Sequence, residues 1–283
     1  MSRWLVTGAG GQLGSHLVEL LAGDDVVAVT RDELDVTDAL AVRRAVDTHQ
    51  PDVVVNAAAY TAVDAAEEDE LHADAVNHLA PENLARALAH AGAGRLIHVS
   101  TDYVFAGDAS EPYDVDAPTG PTGAYGRTKL AGERAVLSAL PGRAWVVRTA
   151  WVYGGPGPNF VDTMRRLERE RDTVDVVSDQ VGSPTWVRDL AGALVELGRR
   201  PDVPPGVLHY ANAGQASWFD LAREVFRVCG AEPARVRPID SAAFPRPAQR
   251  PAWSVLSTRS WVDAGLTPPR PWADALADAL SPT

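Results

Sequence analysis

The chain has 283 residues, 46% hydrophobic and 23% charged, the balance of a globular protein with one large core or a main domain and a smaller annex. Its net charge of −12 excludes a general affinity for nucleic acid, whose phosphates need a basic footprint, and no apolar run approaches the ~20 residues of a membrane span. The single cysteine excludes an internal disulfide, and seven scattered histidines offer no ligand spacing, so no metal is expected.

The opening "MSRWLVTGAGG" runs straight into an apolar stretch and a glycine turn, so no signal peptide is expected and the cytoplasm is the expected compartment. "WLVT" (4–7), "VVAVT" (26–30), "DVVVN" (52–56), "RLIHVS" (95–100) and "AWVVRT" (144–149) are short apolar runs bounded by turn residues, which predicts buried parallel strands. Helical patterns lie between them at about 12–22, 39–48, 73–91 and 123–140. This alternation predicts an α/β fold, a doubly wound, Rossmann-like parallel sheet over residues 1–150 that binds a dinucleotide. The acidic run "DAAEEDELHAD" (64–74) reads as a solvated helix face.

After residue 150 proline and glycine become dense, in "YGGPGPN", "PDVPPG" and "FPRPAQRP", around separate helices near 159–171, 187–199 and 217–229. That texture predicts a smaller C-terminal, mainly substrate-binding domain over 151–283, with "GVLHYAN" (206–212) able to return a strand to the main sheet. Cys229, in "LAREVFRVCGAE", reads as a buried structural thiol.

"VTGAGGQLGSHL" joins the first strand to the first helix, with Gly8, Gly11 and Gly14 spaced as G-x-x-G-x-x-G. Glycine allows a left-handed turn and close approach of a pyrophosphate, and the helix start supplies amides, here those of Gln12 and Leu13. At the end of the second strand an NAD-specific site places an acidic residue, whereas this chain has Thr30 and Arg31. Arg31 can face a 2′-phosphate, which tilts the cofactor towards NADPH with NADH possible; a surface ion pair is its alternative role. Asp35 and Val36 follow where the adenine should lie, and Ala57, Ala58 and Ala59 of "NAAAYT" let a flat cofactor approach the third strand.

"GAYGRTKLAGE" holds Lys129, the only lysine of a chain whose 26 basic residues are otherwise arginine. Tyr125 stands four residues earlier, so both side chains share one face of a helix. An ammonium beside a phenol, with the positive nicotinamide of the oxidised cofactor, favours the phenolate, so Lys129 is expected to lower the pKa of Tyr125, the proton donor to a ketone. Ser100 or Thr101, neighbours on a strand and therefore on opposite faces, should reach the same ketone oxygen.

Gly8-Gly11-Gly14, "NAAAYT", "STDYVF", Tyr125-x-x-x-Lys129, "RTAWVYG", "DQVGSPT" and "RPAWSVLST" together resemble the extended short-chain dehydrogenase/reductase family over nearly the whole chain. The resemblance implies an oxidoreductase that reduces the C4 ketone of a dTDP-4-keto-6-deoxy sugar, as in dTDP-rhamnose biosynthesis or in secondary metabolism. An epimerase and a non-catalytic regulatory subunit are alternatives within the same fold. The resemblance also implies that Thr101 takes the part serine has in most relatives, and that Thr101, Asp102 and Trp151 meet the sugar. Val99, Tyr60 and Thr61 should lie along the cofactor. Some members dimerise through magnesium held by glutamates, one of them early in the first helix. His16 stands at that place here, which speaks for a monomer or weak homodimer without a metal.

Overall fold

A computed structural model describes residues 2–281. Six parallel strands form the central sheet: β1 (Arg3–Thr7), β2 (Asp25–Val29), β3 (Val53–Asn56), β4 (Arg95–Thr101), β5 (Ala144–Thr149) and β6 (Gly206–His209). Their spatial order is β6-β5-β4-β3-β1-β2. β3 and β5 are buried along their whole length, as apolar strands covered on both faces must be. Alternation then divides the core in two: Trp4 faces α1 (Gln12–Leu20) and α8 (Val187–Arg199), while Leu5 faces α2 (Ala39–His49), α5 (Ala80–Ala91) and α6 (Ala124–Ala139). The order of strand addition reverses between β1 and β3, where the carboxyl ends of an open parallel sheet leave a crevice.

The C-terminal half divides its residues between two places. β6 pairs with β5 at the sheet edge, and α8 packs on the sheet beside α1, with Gly198 close against the Trp4 ring. Around α7 (Phe160–Glu170) and α9 (Trp218–Val228) a separate cluster of Val161, Met164, Val174, Leu221, Val225 and Phe226 builds the smaller lobe. Asn159 caps α7, and Ser217 with Asp220 forms a reciprocal capping box on α9.

Three expectations need correction. The helix expected at 73–91 starts earlier and carries a π-turn: α4 (Glu70–Asp74), the π-turn (Ala75–Leu79) and α5 follow one another in unbroken helical backbone, after a short separate α3 (Val63–Glu68). Pro81, which donates no N–H, stands in the first turn of α5, directly after the π-turn. Cys229 is exposed, because α9 buries Ala222, Val225 and Phe226 and the cysteine is its C-cap, beyond the packed face. The acidic run is more than a solvated face. Glu67 accepts the N–H of Ala124, Glu70 binds Arg127 at 2.8 and 3.0 Å, and Asp64 binds Arg250, so three of its carboxylates fasten other elements.

No helix among the described residues is long and apolar enough to cross a membrane.

Candidate active site

The glycine turn makes the first wall. Gly8 has φ +70°, and a Cβ there would stand 2.7 Å from the Ala58 nitrogen, so only glycine fits between β1 and the β3 turn. That turn is braced from below: Thr7 Oγ1 donates to Asn56 Oδ1 at 2.7 Å, which also accepts the Ala58 N–H. No side chain caps α1 at Gly11, which leaves the first-turn amides, Gln12 and Leu13 included, open to an anion.

A groove of about 350 Å³ runs from Gly8 and Gly11 past Thr30, Arg31, Asp35 and Val36 to Ala58, Ala59 and Tyr60. This bare backbone cradle, with free amides at one end, fits a dinucleotide. Thr61, just beyond Tyr60, is exposed. At the β2 end Glu33 folds back so that its carboxylate accepts both the N–H and the hydroxyl of Thr30, which hold it below the usual carboxylate range. Arg31 remains exposed on the groove. The Asp35 carboxylate accepts from the hydroxyl and N–H of Thr37, which lower it likewise.

β4 separates its two hydroxyls. Ser100 points into the interior and donates to Glu133 Oε1 at 2.5 Å. Thr101, the last residue of the strand, donates to Asp102 Oδ1 at 2.9 Å, accepts the Tyr103 N–H and lies within hydrogen-bond reach of the Tyr125 phenol. Burial pushes that phenol up to about 12, against the pull of Thr101 and with a further push from Asp102. Desolvation of the phenolate is the largest cause of that rise; the lowering expected from Lys129 belongs to the site with the oxidised nicotinamide beside it. Lys129 is buried and donates through Nζ to the Val99 carbonyl at 2.6 Å. Burial lowers its ammonium to about 8, and Glu133 opposes the fall.

Asp102 is buried too, and burial raises it to about 6 while Ser254 and Thr101 pull it down. Its Oδ2 and the neighbouring Ser254 hydroxyl oxygen are both buried and meet no other polar partner, a pair of polar atoms open to a ligand hydroxyl. Trp151 follows β5 in the left-handed region at φ +48°, a conformation that costs roughly 1–3 kcal/mol outside glycine. Its ring stacks on Trp218 at 3.4 Å and 3°, and Gly182 lies so close that a Cβ would meet the indole at 2.4 Å.

Beyond Tyr103, whose ring meets Tyr125 edge to face at 5.5 Å, a second cavity of about 530 Å³ opens. Phe160, Trp218 and Phe244 give it aromatic walls, and Arg246 and Arg250 give it positive charge. Both arginines belong to a strap, residues 240–252, whose exposed course is fixed across the cleft by Asp64: Arg250 binds it through two nitrogens at 2.7 and 2.9 Å, and the Ala248 N–H adds a third bond.

Sequence reading missed Asn77 on the π-turn. Its amide accepts the Tyr60 N–H and donates to the Tyr60 carbonyl and Thr128 hydroxyl, tying the groove to α6. A buried asparagine between the third-strand turn and the Tyr–Lys helix was the available signal. Among the described residues no group of three or more His, Cys, Asp or Glu could hold a metal ion. His16 Nδ1 lies 3.0 Å from the Gln12 carbonyl of its own helix.

A family model described as RmlD substrate binding domain matches residues 2–283. The dTDP-4-dehydrorhamnose reductase of Mycobacterium tuberculosis strain H37Rv is 55% identical over 286 residues, covering 99% of this chain and 92% of that protein. A probable dTDP-4,6-dihydroxy-2-methyloxan-3-one 4-ketoreductase of Streptomyces antibioticus is 54% identical over 280 residues, covering 98% of this chain and 94% of that protein. Among solved structures, a dTDP-4-dehydrorhamnose reductase from Bacillus anthracis in complex with NADP matches with a TM-score of 0.93 at 36% identity, over 98% of each chain.

Proposed function

The chain belongs to the RmlD substrate binding domain family, and from that membership we propose that it reduces the C4 ketone of dTDP-4-dehydro-L-rhamnose to dTDP-L-rhamnose with NADPH. The observation that carries the reading is the Thr101 hydroxyl at the Tyr125 phenol, with Lys129 one turn on, between the glycine groove and the aromatic, arginine-bearing cavity.

A bound NADPH supplies the reducing equivalent to C4. Gly8, Gly11 and the amides of Gln12 and Leu13 hold its pyrophosphate, Asp35 and Val36 flank the adenine, and Arg31 meets the 2′-phosphate. Glu33 is occupied by Thr30 and leaves the arginine free for that phosphate; NADH, lacking it, is the lesser donor. Ala58, Ala59, Tyr60, Thr61 and Val99 line the nicotinamide half. On the sugar side, Thr101 turns its proton from Asp102 to the ketone oxygen and orients it. Tyr125, kept protonated at neutral pH by its raised pKa, gives its proton to that oxygen as negative charge develops there. Lys129, anchored on Val99, holds the ribose. Asp102 accepts a sugar hydroxyl, Trp151 lines the ring, and Arg246 and Arg250 receive the diphosphate. Both reactants are water-soluble anions, which suits a cytoplasmic monomer or weak homodimer.

The second reading is a 4-ketoreductase of another dTDP-deoxysugar, favoured by the 54% identity to the Streptomyces antibioticus protein. Incubation with NADPH and the isomeric dTDP-4-keto-6-deoxy sugars, with products identified by NMR, separates the two. We expect the L-rhamno product to form fastest. Preference for another isomer transfers the assignment to the second reading, and no NADPH oxidation with any isomer rejects both.

A further inference from the structure

Glu133 lies one helical turn after Lys129, on the same face of α6. It is 2% exposed, a position where an unpaired carboxylate costs several kcal/mol. Three donors compensate it. Arg148 on β5 grips both oxygens at 2.9 and 2.7 Å, and Ser100 on β4 donates to Oε1. Arg148 reaches on to the Val115 carbonyl and to His209 Nε2 on β6, at 3.3 and 3.4 Å. Burial and the neighbouring guanidinium push His209 down to about 3, so its ring is neutral, accepting from Arg148 at Nε2 and donating from Nδ1 to the Tyr113 carbonyl. One carboxylate thus joins α6 to the β4, β5 and β6 strands directly below the Tyr125–Lys129 pair.

We propose that Glu133 is a positioning residue for the reduction: it fixes the face of α6 that carries Lys129 and is the counter-charge that keeps this buried lysine an ammonium. This rests on the reductase reading above. The titratable and charged groups around this face are His98 on β4, Arg148 on β5, His209 on β6, Asp102 after β4, and Tyr125 and Glu133 on α6 itself. The π-turn contributes the neutral Asn77, while its part-buried His78 pairs with Asp74, and Glu67 of α3 and Glu70 of α4 are taken up by the Ala124 N–H and by Arg127 at the start of α6. Both histidines are held neutral by burial, and Lys129 and Arg148 each push one of them further down. Glu133 is then the carboxylate one turn from Lys129 on this face of α6, and without it the buried ammonium loses that counter-charge whether or not Arg148 is present. A purely structural tie between Glu133 and Arg148 predicts none of the pH behaviour below.

The test uses Glu133→Gln and the double variant Glu133→Gln/Arg148→Met, which removes the partner cation along with the carboxylate. Activity needs protonated Lys129, so it is present below the lysine's pKa and lost as pH rises through it. In the wild type that loss falls near 8. In both variants the basic limb of kcat/KM for NADPH-dependent ketone reduction should move down by about one pH unit, a roughly tenfold loss on the alkaline side, with activity near pH 6.5 changed much less. Thermal unfolding is measured beside it. A double variant that folds and keeps the wild-type limb overturns the proposal, as does one that cannot fold at all, which assigns Glu133 to stability alone. A wild type that reduces no keto sugar defeats the reductase reading instead, and the two failures are thereby distinct.

Discussion

Ser100 and Thr101 differ by one methyl group and one strand position, and that position sends one hydroxyl to Glu133 and the other to Asp102, beside the Tyr125 phenol. Thr101→Val keeps the shape and removes the donor, so kcat for ketone reduction should fall by ~10²-fold or more, as for loss of an oxyanion-type donor. Ser100→Ala should leave kcat within a few-fold and instead lower the melting temperature. It strips a donor from a buried carboxylate, which costs about 1–3 kcal/mol. Equal losses of kcat in the two variants would return the choice to open. The alternation of the strand was legible in "HVSTDY", since neighbouring side chains must part. Which hydroxyl faces the cleft was not, because it depends on where α6 lays Glu133, thirty-three residues away. Lys129 was legible as singular in a chain that otherwise uses arginine. Its anchor, the Val99 carbonyl, was hidden because a backbone acceptor leaves no mark in the sequence.

Among the elements, strands announced themselves best: "DVVVN" and "AWVVRT" have no polar face to confuse a helix with a strand, and β3 and β5 lie where these runs predict. The π-turn inside the helix from 73 was hidden for a physical reason. A π-turn keeps helical composition and changes only the hydrogen-bond spacing, so hydrophobic period cannot reveal it. What the turn accomplishes is visible at Gly132 of α6, where a Cβ would lie 2.1 Å from the Asn77 carbonyl oxygen. The two helical segments meet backbone to backbone, which is how Asn77 reaches both Tyr60 and Thr128. Gly132→Ala must push them apart. We expect a destabilisation of about 1–3 kcal/mol in denaturant unfolding and a raised KM for NADPH, since Tyr60 shifts with Asn77. An unchanged midpoint would mean that the contact relaxes freely. The two-residue ladders of the smaller lobe, such as Val152–Tyr153 with Thr185–Trp186, escaped sequence reading because distant partners alone create them.

At the scale of the molecule, the two lobes meet across the cleft through charge. Asp64, in a run that reads from sequence as solvent-facing, holds the strap that carries Arg246 and Arg250. Asp64→Asn removes the charge-assisted part of that contact. The pair is part-exposed, so the loss is discounted towards the low end of a charged hydrogen bond, and KM for the nucleotide sugar should rise by about three- to tenfold with kcat little changed. A lower KM would mean that Asp64 competes with the substrate for the arginines. The strap has a further property in its spelling, "FPRPAQRP": Phe244, Arg246 and Arg250 are each followed by proline. A residue before proline is excluded from the helical region, and each proline has one backbone angle already set, so this stretch has few conformations to lose even in the unfolded chain. Ordering it over the cleft therefore forfeits little backbone entropy, and three side chains on exposed backbone reach the cavity with the definition of residues on a strand.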